Sequence, residues 1–216
     1  MFSSVVLDVD STLCGIEGID FLAERRGAEL GAHISRATSL AMSGEMPLEK
    51  VYGERLKLIQ PSRSDVAALS EAYVKTLAPD AAEAILALRE AKVGVTLVSG
   101  GIWQAIQPVA RKLGLGDQDL NAVSLFFDDG GRYAGFDARS PLTRQTGKAE
   151  VLRELLAAHR LKQPVLAVGD GATDTFMRGV ADRFAAFTGF ARRESVVAQA
   201  DLEIGSFAEL ERVVLG

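Results

Sequence analysis

The chain has 216 residues, with 24 Lys and Arg against 29 Asp and Glu, which gives a formal net charge of -5. Its hydrophobic content of 48% and charged content of 25% are typical of a soluble globular protein, and no window approaches the roughly 20 consecutive apolar residues of a transmembrane helix. One cysteine, Cys14, excludes an internal disulfide framework and a cysteine-built zinc site. Two histidines, His33 and His159, are too few for most histidine-based chemistry.

These features predict a cytoplasmic protein of a reducing compartment. The opening segment 1–8 has no basic region and soon meets an acid, so it does not resemble a signal peptide. The acidic balance argues against a nucleic-acid or anionic-membrane partner, because either would favour a basic face. An enzyme of this composition would use carboxylates, hydroxyls and lysine.

Short runs rich in β-branched residues alternate with helical patterns along the chain. Such runs, bounded by turn residues, predict strands of a buried parallel sheet over residues 4–8, 93–98, 164–169 and 183–187. Apolar spacing, with Pro79 as a start signal and Gly114 as a stop signal, predicts helices over residues 80–92, 102–113 and 148–159. The alternation predicts an α/β fold with a doubly wound, Rossmann-like parallel sheet.

Two stretches interrupt this alternation. Residues 15–75 contain helical patterns at 47–59 and 64–77 and no convincing strand, which predicts a helical insertion after the first strand. Residues 120–136 resemble a β-hairpin, with strands over 122–127 and 132–136 around an Asp-Asp-Gly-Gly turn. The sequence therefore predicts a core of residues 1–14 and 76–216, which carries a small helical cap at residues 15–75 and a short hairpin.

Polar clusters follow the predicted strands at the points where the strands end. Open parallel sheets bind their ligands beyond the carboxyl ends of the strands, so these clusters form the candidate site. They are Asp8-Val9-Asp10-Ser11-Thr12, Ser99-Gly100-Gly101 and Gly169-Asp170-Gly171-Ala172-Thr173-Asp174, with Thr146-Gly147-Lys148 as a fourth cluster at a helix start. Each cluster is short, and the chemistry follows from their combination.

The acids of these clusters favour a metal site. If the first strand continues, Asp8 and Asp10 project to the same side of it. Carboxylates so placed repel each other unless a cation or a proton shares the site. Asp170 and Asp174 add two acids at another strand end, and Mg²⁺ prefers such oxygen ligands. The clusters therefore predict Mg²⁺ as the cofactor.

The remaining clusters favour a phosphate group. Ser99 and Gly100 offer a hydroxyl and unhindered amides near a helix N-terminus, which is a ready anion site. The Gly147-Lys148 pair lacks the earlier Gly and the following Ser or Thr of a P-loop, which excludes that motif. A nucleophilic carboxylate, an adjacent acid, a hydroxyl, a lysine and a metal site together form a phosphoryl-transfer set.

The four clusters, in this order along nearly the whole chain, resemble the four motifs of the haloacid dehalogenase superfamily of phosphatases. The resemblance implies that Asp8 is the nucleophile. It also implies that Asp10, which marks the phosphotransferase branch, is the general acid and base. The implied metal ligands are Asp8, Asp10 through its backbone carbonyl, Asp170 and Asp174, and the implied phosphate-binding residues are Ser99, Gly100 and Lys148.

Within that superfamily, the closer resemblance is to the phosphoserine phosphatases. The first motif continues to Glu17, and residues 41–49 and 55–58 are similar to that family's substrate-recognising cap. In that family a Glu meets the substrate ammonium and an Arg meets its carboxylate, roles that fall here on Glu17 and Arg55. The remaining pocket positions are Met42, Leu48, which replaces an aromatic residue often present, and Thr173, which stands where many members have Asn.

The resemblance implies a Mg²⁺-dependent phosphomonoester hydrolase that acts on O-phosphoserine through an aspartyl-phosphate. It implies a cytoplasmic enzyme of serine biosynthesis, a monomer or homodimer, whose partner is a small-molecule substrate rather than a nucleic acid or a membrane. Two alternatives stay open. The first is the same chemistry on phosphohomoserine, a sugar phosphate or another small monoester. The second is a phosphate-accepting signalling domain of the receiver type.

Overall fold

Eight strands, distributed over two sheets, form the β structure of the computed structural model, which describes all residues from 1 to 216. The strands are β1 (Ser4–Leu7), β2 (Gly94–Ile102), β3 (Leu120–Val123), β4 (Leu125–Phe127), β5 (Tyr133–Phe136), β6 (Val165–Gly169), β7 (Arg183–Phe187) and β8 (Leu202–Ile204). Six of them form a sheet of order β3-β2-β1-β6-β7-β8 with parallel pairings throughout, and β4 and β5 form a separate antiparallel pair.

The centre of the large sheet is β1, which pairs with β2 on one side and with β6 on the other. Its residues Val5, Val6 and Leu7 have no exposed surface, as expected for a parallel strand that is covered on both faces. The strand order reverses between β1 and β6, which is the topological switch point of a doubly wound sheet. The α/β class and the parallel sheet are therefore confirmed.

Ten helices accompany the strands. They are α1 (Gly18–Glu24), α2 (Ala28–Ser43), α3 (Leu48–Ile59), α4 (Arg63–Lys75), α5 (Ala81–Glu90), α6 (Trp103–Lys112), α7 (Gly147–Ala157), α8 (Ala172–Thr175), α9 (Glu194–Val197) and α10 (Phe207–Leu215). None of them combines the length and the apolar character that crossing a membrane requires. The predicted helix over 148–159 ends early, at Ala157, and His159 follows it with a left-handed φ of 55°.

Helices α1 to α4 form the insertion after β1, and no strand lies among them. The chain enters and leaves this insertion at one place, because Cys14 and Leu77 pair in an isolated antiparallel bridge. The backbone amide of Gly15 also donates to the carbonyl of Thr76 at 2.9 Å. The division into a core and a cap of residues 15–75 stays a prediction, and this pairing supports it.

The hairpin predicted over 120–136 is confirmed by the antiparallel pairing of β4 with β5, but its first strand is shorter than predicted. Residues 122–127 are not one strand, since the chain changes partner at Ser124: β3 joins the large sheet beside β2, and only β4 pairs with β5. The side chain of Gln104 replaces the missing strand partner. Its amide donates to the Leu125 carbonyl at 2.7 Å, and its oxygen accepts from the Leu125 amide at 3.1 Å.

The strand predicted over 93–98 is longer than expected. Ser99, Gly100 and Gly101 continue β2 to Ile102, and α6 begins directly after it at Trp103. The pairing of β2 with β3 shifts register between Val98 and Ile102, which is where the polar cluster lies. The cluster therefore lies within the strand end itself and not in a loop beyond it.

The first turn of α4 holds Asp65, which ties two cap helices together. Asp65 and Ser62 form a reciprocal capping box, and Asp65 also accepts from Arg25 and Arg26 just after α1. Burial alone would raise the pKa of Asp65, but the hydrogen bonds from Arg26, Ser62 and Arg25 outweigh it and hold that pKa well below its usual range.

Substitution Asp65→Asn is expected to lower the free energy of unfolding by about 2 kcal/mol at neutral pH, because it weakens the cap and both ion pairs. A carboxylate with a depressed folded-state pKa stabilises the protein above its unfolded-state pKa, and this contribution is lost as the pH falls. Urea unfolding should therefore show that the difference between the two proteins shrinks from about pH 5 to pH 3. Asp129→Asn, an exposed site, is the control, and a pH-independent difference would contradict the assignment.

Candidate active site

Three acids lie where the carboxyl ends of β1 and β6 meet. Asp8 follows β1 directly, Asp170 follows β6, and Asp174 lies in α8. One carboxylate oxygen of each lies within 4.8 Å of the other two, and all three residues are buried. The fold thus brings together three of the four acids that the sequence selected from two distant segments.

A single lysine lies among these carboxylates. Lys148, at the start of α7, places its Nζ 2.8 Å from Oδ1 of Asp8 and 2.7 Å from Oδ1 of Asp174. Burial by itself would lower the pKa of Lys148, but the charges of Asp174 and Asp8 outweigh it and hold that pKa above its usual value. Lys148 is therefore a fixed positive charge beside Asp8.

The acidic cluster carries more negative charge than its cations balance. Three carboxylates face Lys148 and Arg193, the latter in an ion pair with Asp170. Two buried oxygens, Oδ1 of Asp8 and Oδ2 of Asp170, contact these cations but accept no well-formed hydrogen bond. Burial raises the pKa of Asp174 to about 7, against the opposing charge of Lys148. Three buried carboxylates that converge within 4.8 Å of one another and outnumber the neighbouring cations suit a hard divalent cation, so the residues present fit such a metal.

The carboxylate of Asp10 is not part of this cluster. Its Oδ1 accepts from Tyr73 Oη at 2.6 Å and from the amide of Gly18 at 3.3 Å. The expectation that Asp8 and Asp10 project to the same side was conditional on a continued strand, but β1 ends at Leu7. Both residues nevertheless line the same cavity, and a role of Asp10 in metal binding through its backbone carbonyl stays a prediction.

The surroundings of Asp10 favour its protonated form. Burial, with the charges of Glu17 and Asp8 as further causes, raises the pKa of Asp10 well above its usual value, although the hydrogen bond from Tyr73 opposes the shift. A carboxyl group whose pKa is raised holds its proton more readily, which is the property that a general acid needs.

A small cavity of about 40 Å³ lies between the cap helices and this edge of the sheet, with room for a few water molecules. Its lining includes Asp8 and Asp10 and every residue for which substrate binding is predicted, namely Glu17, Met42, Leu48, Arg55, Ser99, Gly100, Lys148 and Thr173. Residues from the insertion and from the sheet therefore face one space. Asp170 and Asp174 do not line this cavity.

Arg55 lies in this cavity with no carboxylate partner. Only 4% of the residue is exposed, its Nη1 donates to Thr38 Oγ1 at 2.7 Å, and its buried Nε has no partner. Thr38 in turn donates to Asp20, which fixes the near side of the guanidinium. A buried guanidinium with an unsatisfied donor is costly unless an anion completes it.

Glu17 supplies a negative group in the same cavity. Its Oε1 accepts from Ser11 Oγ at 2.6 Å and lies 3.6 Å from Nη2 of Arg193. Burial raises the pKa of Glu17, and the hydrogen bond from Ser11 and the charge of Arg193 oppose that shift. The insertion therefore contributes one acidic and one basic side chain, Glu17 and Arg55, to the lining of this cavity.

Several residues of this site carry no signal, or only a weak one, in the sequence. Thr12 donates to Oδ1 of Asp170 at 3.0 Å, and it belongs to the first polar cluster, so its position was a usable signal. Tyr52 donates to the Gly100 carbonyl at 2.8 Å from the cap. Arg193 and Tyr73 reach the site from a loop and from α4, where nothing in their local sequence distinguishes them.

Comparison with known proteins defines the class. Residues 5–177 match the haloacid dehalogenase-like hydrolase family, and this span begins in β1, ends just after α8 and contains all four polar clusters. The fold and the match together identify the chain as a haloacid dehalogenase-like hydrolase, and they disfavour the alternative of a receiver-type signalling domain.

Individual relatives assign the chain to one family within this class. The chloroplastic phosphoserine phosphatase of Arabidopsis thaliana is 39% identical over 209 residues, covering 96% of this chain and 70% of that protein. The phosphoserine phosphatase of Mus musculus is 39% identical over 207 residues, covering 96% of this chain and 91% of that protein. A solved phospho-aspartyl intermediate analogue of phosphoserine phosphatase has a TM-score of 0.83 at 27% identity, covering 98% of both chains. The chain belongs to the phosphoserine phosphatase family.

Proposed function

We propose that the chain hydrolyses O-phosphoserine to serine and phosphate. The observation that carries the proposal is Arg55, a buried guanidinium without a carboxylate partner in the cavity that Asp8 and Glu17 also line. A zwitterionic amino acid offers a carboxylate for the arginine and an ammonium for the glutamate, and its phosphate then extends toward Asp8. The family relatives named phosphoserine phosphatase support this choice of substrate.

Chemistry begins with attack of the Asp8 carboxylate on phosphorus. A bond from Asp8 to phosphorus forms, the bond from phosphorus to the serine oxygen breaks, and the proton of Asp10 passes to that oxygen. A water molecule then attacks the phosphorus of the aspartyl-phosphate: the bond from the water oxygen to phosphorus forms, the bond from Asp8 to phosphorus breaks, and Asp10 takes a proton from the water. This restores both aspartates and releases inorganic phosphate.

The phosphoryl oxygens would be bound by hydrogen-bond donors at the end of β2 and the start of α7. Ser99, the amide of Gly100 and Lys148 are proposed to donate to them, since all three line the cavity beside Asp8. Donors fixed in a buried site stabilise charge that develops during the transfer. The short distance from Lys148 to Asp8 supports this role.

The resident cation is proposed to be Mg²⁺, held by Asp8, Asp170 and Asp174, with the backbone carbonyl of Asp10 as a further ligand. Three carboxylates of one cluster match its preference for hard oxygen ligands. When bound, Mg²⁺ would neutralise charge on the phosphoryl oxygens.

The cap of residues 15–75 is proposed to select the leaving group. Glu17, Arg55, Met42 and Leu48 reach the cavity from this segment, and Thr173 reaches it from α8. The cavity lies beneath the packed cap helices, so we expect the cap to open for substrate entry. Closure over the substrate would then exclude bulk water from the aspartyl-phosphate.

Substitution Arg55→Ala is expected to lower kcat/KM for O-phosphoserine on the order of 100-fold or more, because a buried charged hydrogen bond is lost. For p-nitrophenyl phosphate, which has no carboxylate, kcat/KM should change little. Arg55→Lys, which keeps the charge without the planar fork, should fall between. Phosphate release is the measurement, and Arg139→Ala, an exposed site, is the control.

The same assay should include O-phosphohomoserine and a sugar phosphate, with the wild-type protein as reference. A clear preference for O-phosphoserine supports the proposed substrate. Equal losses on all monoesters in Arg55→Ala, or a higher kcat/KM for the sugar phosphate in the wild type, would assign a different small monoester to this site.

A further inference from the structure

The hydroxyl of Tyr73 ends beside Asp10 in the interior of the protein. Tyr73 lies on α4, the last helix of the insertion, and has no exposed surface. Its Oη donates to Oδ1 of Asp10 at 2.6 Å, and the amide of Gly18 donates to the same oxygen at 3.3 Å. Both donors contact Oδ1, which leaves Oδ2 as the oxygen of Asp10 that is free to face the cavity it lines.

The space for this hydroxyl is created by two glycines on other elements. A Cβ on Gly18, at the start of α1, would lie 2.1 Å from Tyr73 Oη, and a Cβ on Gly101, in β2, would lie 3.2 Å from it. The chain therefore leaves room from two directions for one phenolic hydroxyl. Asp10 is its hydrogen-bond partner, so the hydroxyl is desolvated in order to reach this carboxyl group.

We propose that Tyr73 is a positioning residue for the reaction, and this inference rests on the proposed function. By holding Oδ1, it fixes the rotation of the Asp10 carboxyl group so that Oδ2 carries the proton that passes to the departing serine oxygen. Tyr73 itself touches no reacting atom and neither gains nor loses a proton in the step. Because it belongs to the insertion, this orientation exists only while α4 is packed against the sheet edge.

Two substrates with different leaving groups distinguish a positioning role of Tyr73 from a purely structural one. An alkyl phosphate such as O-phosphoserine needs a proton on its departing oxygen, whereas p-nitrophenolate is stable enough to leave without one. The constant kcat/KM reports only steps up to the first irreversible one, the transfer to Asp8, so the later work of Asp10 on water does not enter. A misplaced acid therefore slows one substrate and spares the other.

The test is Tyr73→Phe, assayed by kcat/KM on both substrates. We expect a loss of roughly 10- to 100-fold on O-phosphoserine and little change on p-nitrophenyl phosphate. In an Asp10→Asn background, Tyr73→Phe should cause no further loss on O-phosphoserine, because it acts through Asp10. Tyr133→Phe, on β5, is the matched control.

Other outcomes overturn the inference. Equal losses on the two substrates would assign Tyr73 a structural role, and full activity of Tyr73→Phe on O-phosphoserine would remove any role. A further loss in the Asp10→Asn background would mean that Tyr73 acts on something else. If the wild-type protein does not hydrolyse O-phosphoserine, the proposed function fails instead, and this result is read before any variant is compared.

Discussion

Asp8→Asn is expected to abolish phosphate release, with a loss in kcat/KM of at least about 10⁴-fold. The amide of Asn is not a nucleophile, so the aspartyl-phosphate cannot form. The variant should still fold, because Asn has nearly the shape of Asp and because removing one of three buried carboxylates relieves repulsion in the cluster. Lys148 also keeps its contact with Asp174.

The measurement is steady-state phosphate release, supported by mass spectrometry of protein that is quenched with acid during turnover. In the wild type, a phosphoryl group should be found on the peptide that contains residue 8, and in Asp8→Asn it should be missing. Asp129→Asn, an exposed loop position, controls for the loss of one acid and should keep full activity. Turnover by Asp8→Asn, or a phosphoryl group on another residue, would refute the assignment.

Removal of divalent metal is expected to have an equally large effect. EDTA should abolish phosphate release and added Mg²⁺ should restore it, since without a cation the three carboxylates repel an incoming phosphate. Metal binding can also be measured without turnover. Mg²⁺ should raise the thermal midpoint of the wild type. At a concentration 100 times its dissociation constant, its binding adds about 2.7 kcal/mol to the free energy of unfolding.

Asp170→Asn gives the matched comparison. It should remove most of this thermal shift, because one ligand of the cluster is lost, whereas Asp129→Asn should keep it. Undiminished phosphate release after exhaustive chelation would exclude metal-dependent hydrolysis. A thermal shift that survives Asp170→Asn unchanged would locate the bound cation elsewhere.

The arrangement of the sheet could be predicted because its signals are local. Runs such as Val5 to Leu7 are apolar on both faces, and only a strand covered on both sides uses such a run. The change of partner at Ser124 could not be predicted, because it depends on the side chain of Gln104, far away along the chain. The extension of β2 through Ser99 also depends on a neighbouring strand.

The same division holds for the site. The roles of Asp8, Asp170 and Lys148 could be predicted from the sequence. These residues follow strand ends or begin a helix, and a parallel sheet brings such positions together. The contributions of Arg193 and Tyr73 could not be predicted, because each is a single residue from a distant segment and belongs to no recognisable motif. The proposed roles of Glu17 and Arg55 came from resemblance to a family rather than from a local pattern.

The central position of β1 in the sheet means that the nucleophile and the substrate-selecting residues lie in parts of the fold that differ in local stability. Asp8 is attached to the strand that is flanked on both sides and fully buried, and such strands are exposed only by global unfolding. The side chains proposed to choose the leaving group belong to an insertion joined to the core through one narrow pair of segments. Local unfolding of the insertion is therefore expected to reduce substrate selectivity before global unfolding of the sheet abolishes phosphate release.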